Sequence, residues 1–223
     1  NTVYGNFDQR LHVVDNIKIK PYVPLAWCWD INVNPMVSIV GQFYNETFHV
    51  IKEFFLEPGT IPEMCAKFKE EFPKHSAPVY IYGDASGNQK EPNLGKSPYF
   101  YILECMQQYA VPVYLKVPPK NPAVSDRIAA TNRMMKDGLG NIRYLVDSSC
   151  KNLIKDDKQV TSDNKGGIKK VHTAGHPYQK RTHCSDCRDY WVSNVRPIDA
   201  SFDNLVNEAQ ECGVDIPTPS FGC

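Results

Sequence analysis

The stretch Leu25–Pro35, LAWCWDINVNP, sets one aspartate, Asp30, inside a run of large apolar residues. Read as a strand, it points Ala26, Cys28 and Asp30 to one face and Trp27, Trp29 and Ile31 to the other. The carboxylate is then fixed on a rigid sheet, where it is costly unless protonated, paired or bound to a cation. Two later stretches share the construction. VYIYGDASG ends an apolar run on Asp84, and THCSDCRDYWV sets Asp186 near the start of a helix. Taken singly, each Asp is an ordinary cap or turn residue. Three in this order point to one shared site.

Working outward, LAWCWDI, MVSIVGQFY and TFHVIKEFFLE are strand-like runs with short separations, so they form an antiparallel meander. Thr60 to Phe72 has apolar residues at helical spacing, with Thr60 as cap and Glu63 completing a capping box. Pro73 ends that helix, and PVYIYGDASG follows as a buried strand. After a crossover helix this strand lies parallel to its neighbour, which brings Asp84 beside Asp30. Ser97 to Ala110 reads as a helix and Val113 to Val117 as a strand. Asn121 to Asp137 reads as a long helix with Pro122 in its first turn, and Ile142 to Val146 as a last strand. Asp147 to Lys158 and Arg181 to Val195 read as helices. Residues 159–180 are polar and Gly-containing and read as a projecting hairpin or loop. Residues 1–24 read as an irregular lead-in, and residues 198–223 as a tail with one amphipathic piece, Phe202 to Cys212. The predicted fold is α/β and ribonuclease H-like, a mixed central sheet flanked by helices over residues 25–197.

With 223 residues and 42% hydrophobic content, the chain suits one sizeable core. Lys plus Arg and Asp plus Glu are 25 each, so net charge excludes no partner. Its distribution is uneven, because Lys151 to His183 carries eight Lys or Arg against three acids. No apolar run of about 18 residues is present, and the N-terminus lacks a charged-then-apolar signal, so a soluble, non-secreted protein without a membrane partner is expected. The eight cysteines are scattered through apolar runs and read as reduced core thiols. The chain starts NTVYGNF with no Met, as expected of a fragment of something longer.

The acids carry the chemistry. Hard cations such as magnesium take oxygen ligands, and two ions about 3.5 to 4 Å apart can activate a water and neutralise the leaving oxygen of a phosphodiester. Asp30, Asp84 and Asp186 are the candidate catalytic and metal-binding residues. His183, Asp186 and Tyr190 share a helical face, which makes His183 and Tyr190 candidates to position the acid or the substrate. Asp189 is the rival to Asp186 but lies off that face. Lys165, Lys169, Lys170, Lys180 and Arg181 form a cationic strip leading to the acids, able to hold DNA phosphates.

WDINVNPM, VYIYGDASG, NPAVSDRIAATNRMM, GGIKK and THCSDCRDYWV together resemble the sequence blocks of the nuclease domain of large terminase subunits from tailed bacteriophages. The resemblance spans about Trp27 to Val192. It implies a ribonuclease H-like endonuclease that cuts concatemeric double-stranded viral DNA during packaging, with two Mg2+ or Mn2+ ions held by three acids, here Asp30, Asp84 and Asp186. In the family's His-x-x-Asp-Ala-x-x-Tyr pattern, this sequence has Cys187 in place of Ala. Arg127 matches a family position and is a candidate DNA contact. An upstream ATPase domain of the same polypeptide, a portal protein and a small terminase subunit are the implied partners, in the host cytoplasm.

Two other motifs fall away. LGKS at Leu94 to Ser97 lacks the Gly of a Walker A loop, whose position is Lys90. His183, Cys184 and Cys187 give half a zinc site without a second CxxC pair. The rival functions are a ribonuclease H or Holliday-junction resolvase-like nuclease on the same fold, and a non-catalytic DNA- or portal-binding module with structural acids.

Overall fold

Seven strands form one sheet in the order β1-β7-β4-β3-β2-β5-β6. The computed structural model describes residues 2–198 except 33, 91, 93–94, 164–166, 172–175 and 177–179. The strands are β1 (Val13–Val14), β2 (Leu25–Asp30), β3 (Met36–Tyr44), β4 (Thr47–Leu56), β5 (Val79–Gly83), β6 (Val113–Leu115) and β7 (Tyr144–Asp147). The helices are α1 (Gln9–His12), α2 (Ile61–Glu71), α3 (Pro98–Cys105), α4 (Val124–Met135), α5 (Lys151–Gln159) and α6 (His183–Val195). β2, β3 and β4 are the expected antiparallel meander, and β2 pairs parallel with β5. Only β3 runs against the rest, so the other strands all end along one edge of the sheet.

The alternation in LAWCWD divides the core as its period requires. Ala26 and Cys28 join the cluster under α4, α5 and α6, while Leu25, Trp27 and Trp29 join the one under α2 and α3. Trp27 stacks on Phe68 of α2 at 4.0 Å, and its indole N–H donates to Ser38 Oγ at 3.0 Å, so the ring is buried without an orphaned donor. Thr60 caps α2 by accepting from the Glu63 amide, as expected.

Several boundaries differ from the sequence reading. The lead-in carries α1 and the edge strand β1, which pairs with β7. Tyr4 and His12 within it are buried, and His12 Nε2 lies 2.8 Å from the Met135 carbonyl. α4 starts at Val124, after Pro122, with Ala123 at its cap. α3 stops at Cys105 instead of reaching Ala110. α5 starts at Lys151 because Asp147 is spent at the end of β7, accepting from Ile17, Ser149 N and Ser149 Oγ. A cap for α5 comes from the sheet instead: Glu53 of β4 accepts the Asn152 and Leu153 amides at 2.9 Å each. In 159–180, Ser162 pairs antiparallel with Ile168, a short hairpin. The amphipathic piece 202–212 lies outside the described residues. Cys28, Cys65, Cys105, Cys150, Cys184 and Cys187 are free thiols. Among the described residues no helix is long and apolar enough to cross a membrane.

Two glycines let layers meet closely. At Gly41, beside a β-bulge, a Cβ would lie 2.6 Å from the Trp191 ring of α6. At Gly83 a Cβ would lie 2.3 Å from the Tyr99 hydroxyl, which instead donates to the Asp84 carbonyl at 2.9 Å. The residue before Asp84 is thus small because α3 reaches over it to fix the aspartate's backbone.

Candidate active site

The common strand edge and the start of α6 assemble the site. Asp30 is the last residue of β2, Asp84 follows β5 and caps the 3-10 turn Ala85–Asn88, and α6 packs over β2, β3 and β5. A cleft of about 630 Å³ opens there, lined by Asp30, Asp84, Ser86, Lys170, Lys180 and His183 among others. Asp186 sits within α6 and is 5% exposed.

The first turn of α6 is held from a distance. Thr182, its N-cap, has φ 82° and contributes no side-chain cap, a strained conformation for a β-branched residue. Asp156 of α5 supplies the missing acceptor by taking the Ser185 amide at 3.2 Å, and Arg181 lies 3.3 Å from the same carboxylate. Burial pushes Asp156 up to about 7 against the opposing pull of Arg181.

Each candidate acid has its own partners. Asp30 accepts from Asn32 Nδ2 at 2.8 Å and lies 2.6 Å from His183 Nδ1. Asp84 accepts from Tyr190 Oη at 2.5 Å, Asn121 Nδ2 at 2.9 Å and the Ser86 amide at 2.7 Å. Partial burial alone would raise Asp84, but these donors outweigh it and hold it down at about 2. Asp186 accepts from Lys170 Nζ at 2.8 Å, with Arg127 Nη1 at 4.0 Å. Burial raises its pKa, opposed chiefly by Lys170, and the negative charge of Asp30 adds to the rise.

Carboxylate oxygens are the donors a hard divalent cation takes, and Asp30 stands near enough for its charge to act on Asp186. The donor chemistry therefore fits magnesium or manganese. As the side chains stand, each of the three carboxylates is turned onto a protein donor. Among the described residues no three Asp, Glu, His or Cys side chains are placed to hold one ion. Cys184 and Cys187 face the core, near Glu53 and the Val37 carbonyl, away from a zinc-type centre with His183.

The other candidates separate. Tyr190 reaches Asp84, and the Arg127 guanidinium stacks over the Tyr190 ring at 4.3 Å. Arg127 corrects the expected DNA contact: it is 7% exposed and turned inward between Tyr190 and Asp186, and its Nε and Nη1 find no hydrogen-bond partner among the described residues. Lys180 pairs with Glu57 at 2.7 Å at the cleft rim, and Lys169 is exposed. Arg181 corrects the expected cationic strip: it is 8% exposed and turned inward to Asp156, so it offers no surface to DNA. Lys165 lies outside the described residues. Asp189 is buried, accepting from Tyr4 Oη at 2.8 Å, Thr131 Oγ1 at 2.7 Å and Arg188 Nε at 2.9 Å, and it does not line the cleft. Asn32 and Asn121 join the site without a signal in the sequence, since a polar loop residue carries no periodicity that marks its target.

The Asp84 contacts predict a pH-dependent defect. An acid whose folded pKa is depressed stabilises the fold above its unfolded value, and that contribution is lost as pH falls through the folded one. Tyr190→Phe is expected to cost about 1–2 kcal/mol at pH 7. The gap to the parent should narrow as pH falls from about 4 toward 2. Urea unfolding at several pH values measures it, and a gap independent of pH would refute the charged contact.

The fold has counterparts among solved structures. The large terminase from a thermophilic bacteriophage, in complex with ATP-γ-S, superposes with TM-score 0.57 and 20% identity over 86% of this chain and 45% of that one. The P22 large terminase nuclease domain gives TM-score 0.55 and 14% identity, covering 88% of this chain and 93% of that one. The large terminase nuclease from the thermophilic phage G20c, with bound magnesium, gives 0.53 and 11%, covering 86% and 97%. This chain thus spans less than half of the ATP-γ-S-bound terminase but nearly all of the two nuclease domains. No family model and no curated protein matches the sequence. At these identities the likeness establishes the fold, the mixed ribonuclease H-like sheet expected from the order of segments.

Proposed function

We propose that this chain is the nuclease domain of a large terminase, a metal-dependent endonuclease that hydrolyses phosphodiester bonds of double-stranded concatemeric DNA during viral genome packaging. The observation that carries the reading is that Asp30 and Asp84, at the ends of the paired parallel strands β2 and β5, line one cleft of a ribonuclease H-like sheet, with Asp186 on the helix packed over those strands. Its structural neighbours support it, since they are large terminases and terminase nuclease domains, one of them with bound magnesium. An upstream ATPase domain, a portal protein and a small terminase subunit complete the proposed machine, working in the host cytoplasm.

Asp30, Asp84 and Asp186 would hold two Mg2+ or Mn2+ ions, which when bound lower the pKa of the attacking water and neutralise the leaving oxygen. The chain's own groups set the geometry. Asp30 is fixed by β2 and oriented by His183 and Asn32. Asp84 is held ionised by Tyr190, Asn121 and the Ser86 amide, ready as an oxygen donor at neutral pH. Asp186 comes in on α6, which packs over β2, β3 and β5. Lys180 at the rim, with the exposed Lys169, offers cations to the phosphate backbone, and binding should weaken steeply with salt. None of these groups reads a base, so little sequence preference is expected.

The test is cleavage of supercoiled plasmid by the chain with EDTA, magnesium or manganese, in competition with an RNA/DNA hybrid and a four-way junction. Metal-dependent cutting inhibited best by duplex DNA is the expected result. Stronger competition by the hybrid or the junction would move the assignment to a ribonuclease H or a resolvase. A folded chain that cuts with neither metal would leave a DNA- or portal-binding module.

A further inference from the structure

Two cations flank Asp186, and they differ in every respect that matters for exchange. Arg127 is 4.0 Å away, its side chain is 8% exposed, and it is pinned on the Tyr190 ring. Lys170 is in contact at 2.8 Å, yet its side chain is 50% exposed, on a flexible stem that enters from the cleft. It also feels the charge of Asp30. We infer that Lys170 is the exchangeable counter-ion of the acid site: its ammonium and the divalent cation compete for the Asp186 carboxylate, and binding the ion turns Lys170 out toward the cleft. This rests on the reading of Asp186 as a metal ligand.

The inference follows from how charges are compensated. A carboxylate buried this far needs a positive partner. Arg127 stands too far to hydrogen-bond it, so Lys170 is the contact partner, and an ammonium is a single charge with donors only. A divalent ion binding the same oxygens would have a cation beside it unless the lysine withdraws. Lys170 can withdraw because half its side chain is already in solvent. Arg127 cannot, because it is enclosed by its own helix and Tyr190. The two cations therefore have opposite expected effects: Lys170 is a competitor, and Arg127 is a fixed part of the wall.

The experiment is Mn2+ binding by isothermal titration to the parent chain, Lys170→Gln, Lys170→Arg and Asp186→Asn, matched for folding by circular dichroism. Lys170→Gln should bind Mn2+ about five-fold more tightly than the parent. Its thermal midpoint should also rise more on Mn2+ addition, because more binding free energy reaches the folded state. Lys170→Arg keeps the charge and should stay near the parent, which separates competition from loss of folding. Asp186→Asn should bind about ten-fold more weakly or worse. Unchanged or weaker Mn2+ binding by Lys170→Gln overturns the inference while leaving the nuclease reading intact. A parent that binds no Mn2+, or an Asp186→Asn variant that binds as the parent does, removes the metal-site reading and the inference together.

Discussion

Asp30→Asn is expected to slow plasmid cleavage by a factor on the order of 10³ while leaving the fold unchanged. Asn has the shape of Asp and can still meet His183 and Asn32, so β2 keeps its register and the cleft keeps its wall. What is lost is one unit of negative charge at the end of the strand beside the second acid-bearing strand, β5. In the proposed site Asp30 is one of only three carboxylates that would hold the metal, so its charge would not be replaced by the other two aspartates. Rates of plasmid nicking under saturating Mn2+ measure the effect, with circular dichroism and urea midpoints as controls for folding. A folded Asp30→Asn chain that cuts within ten-fold of the parent would show that the reaction does not pass through this carboxylate.

The largest stability effect is expected at a residue that never meets substrate. Arg188 is fully buried on α6, bonded to Asp157 of α5 and Asp189, with its guanidinium 4.2 Å over the Tyr4 ring. Replacing it with Met keeps the volume but strands two buried carboxylates, for a cost of about 3–5 kcal/mol. Tyr144 and Tyr4 still donate to those acids, which softens the loss without supplying charge. Urea denaturation reads the change. Adding Asp157→Leu to Arg188→Met should recover part of it, since one of the stranded charges is then gone. A single substitution costing under about 1 kcal/mol would mean the network is neutralised by proton uptake instead of by the arginine.

The parts of this molecule legible in its sequence are those written in short-range pattern. Alternation in LAWCWD assigned both faces of β2, and helical spacing with a Thr60 cap located α2. Asp30 and Asp84 stood out because each interrupts or ends an apolar run, and Asp186 because it shares a helical face with His183 and Tyr190. α6 itself was misleading, because HCSDCRDYWVSNV reads as polar yet ten of its thirteen residues are buried. Its polar atoms are satisfied by residues far away in sequence: Asp189 by Tyr4 and Thr131, Arg188 by Asp157, the Ser185 amide by Asp156. Such pairings leave no local trace, so Arg181 reads as a surface cation and Tyr4 as part of an irregular lead-in. Their burial follows from the helix being enclosed by the sheet, α4 and α5.

The contact between Tyr4 and Asp189 spans 185 residues, and it orders events on the ribosome. Asp30 and Asp84 emerge early, and β2, β3 and β5 can pair as soon as they are out. Tyr4 must then wait for a partner made much later, and the groove for α6 stays open meanwhile. Contacts of such long sequence separation form late. A nascent chain thus carries two of the three candidate aspartates through most of the synthesis of this domain but gains the third only when its last described helix docks, so under the proposed function the capacity to cut would arrive with α6 and not before.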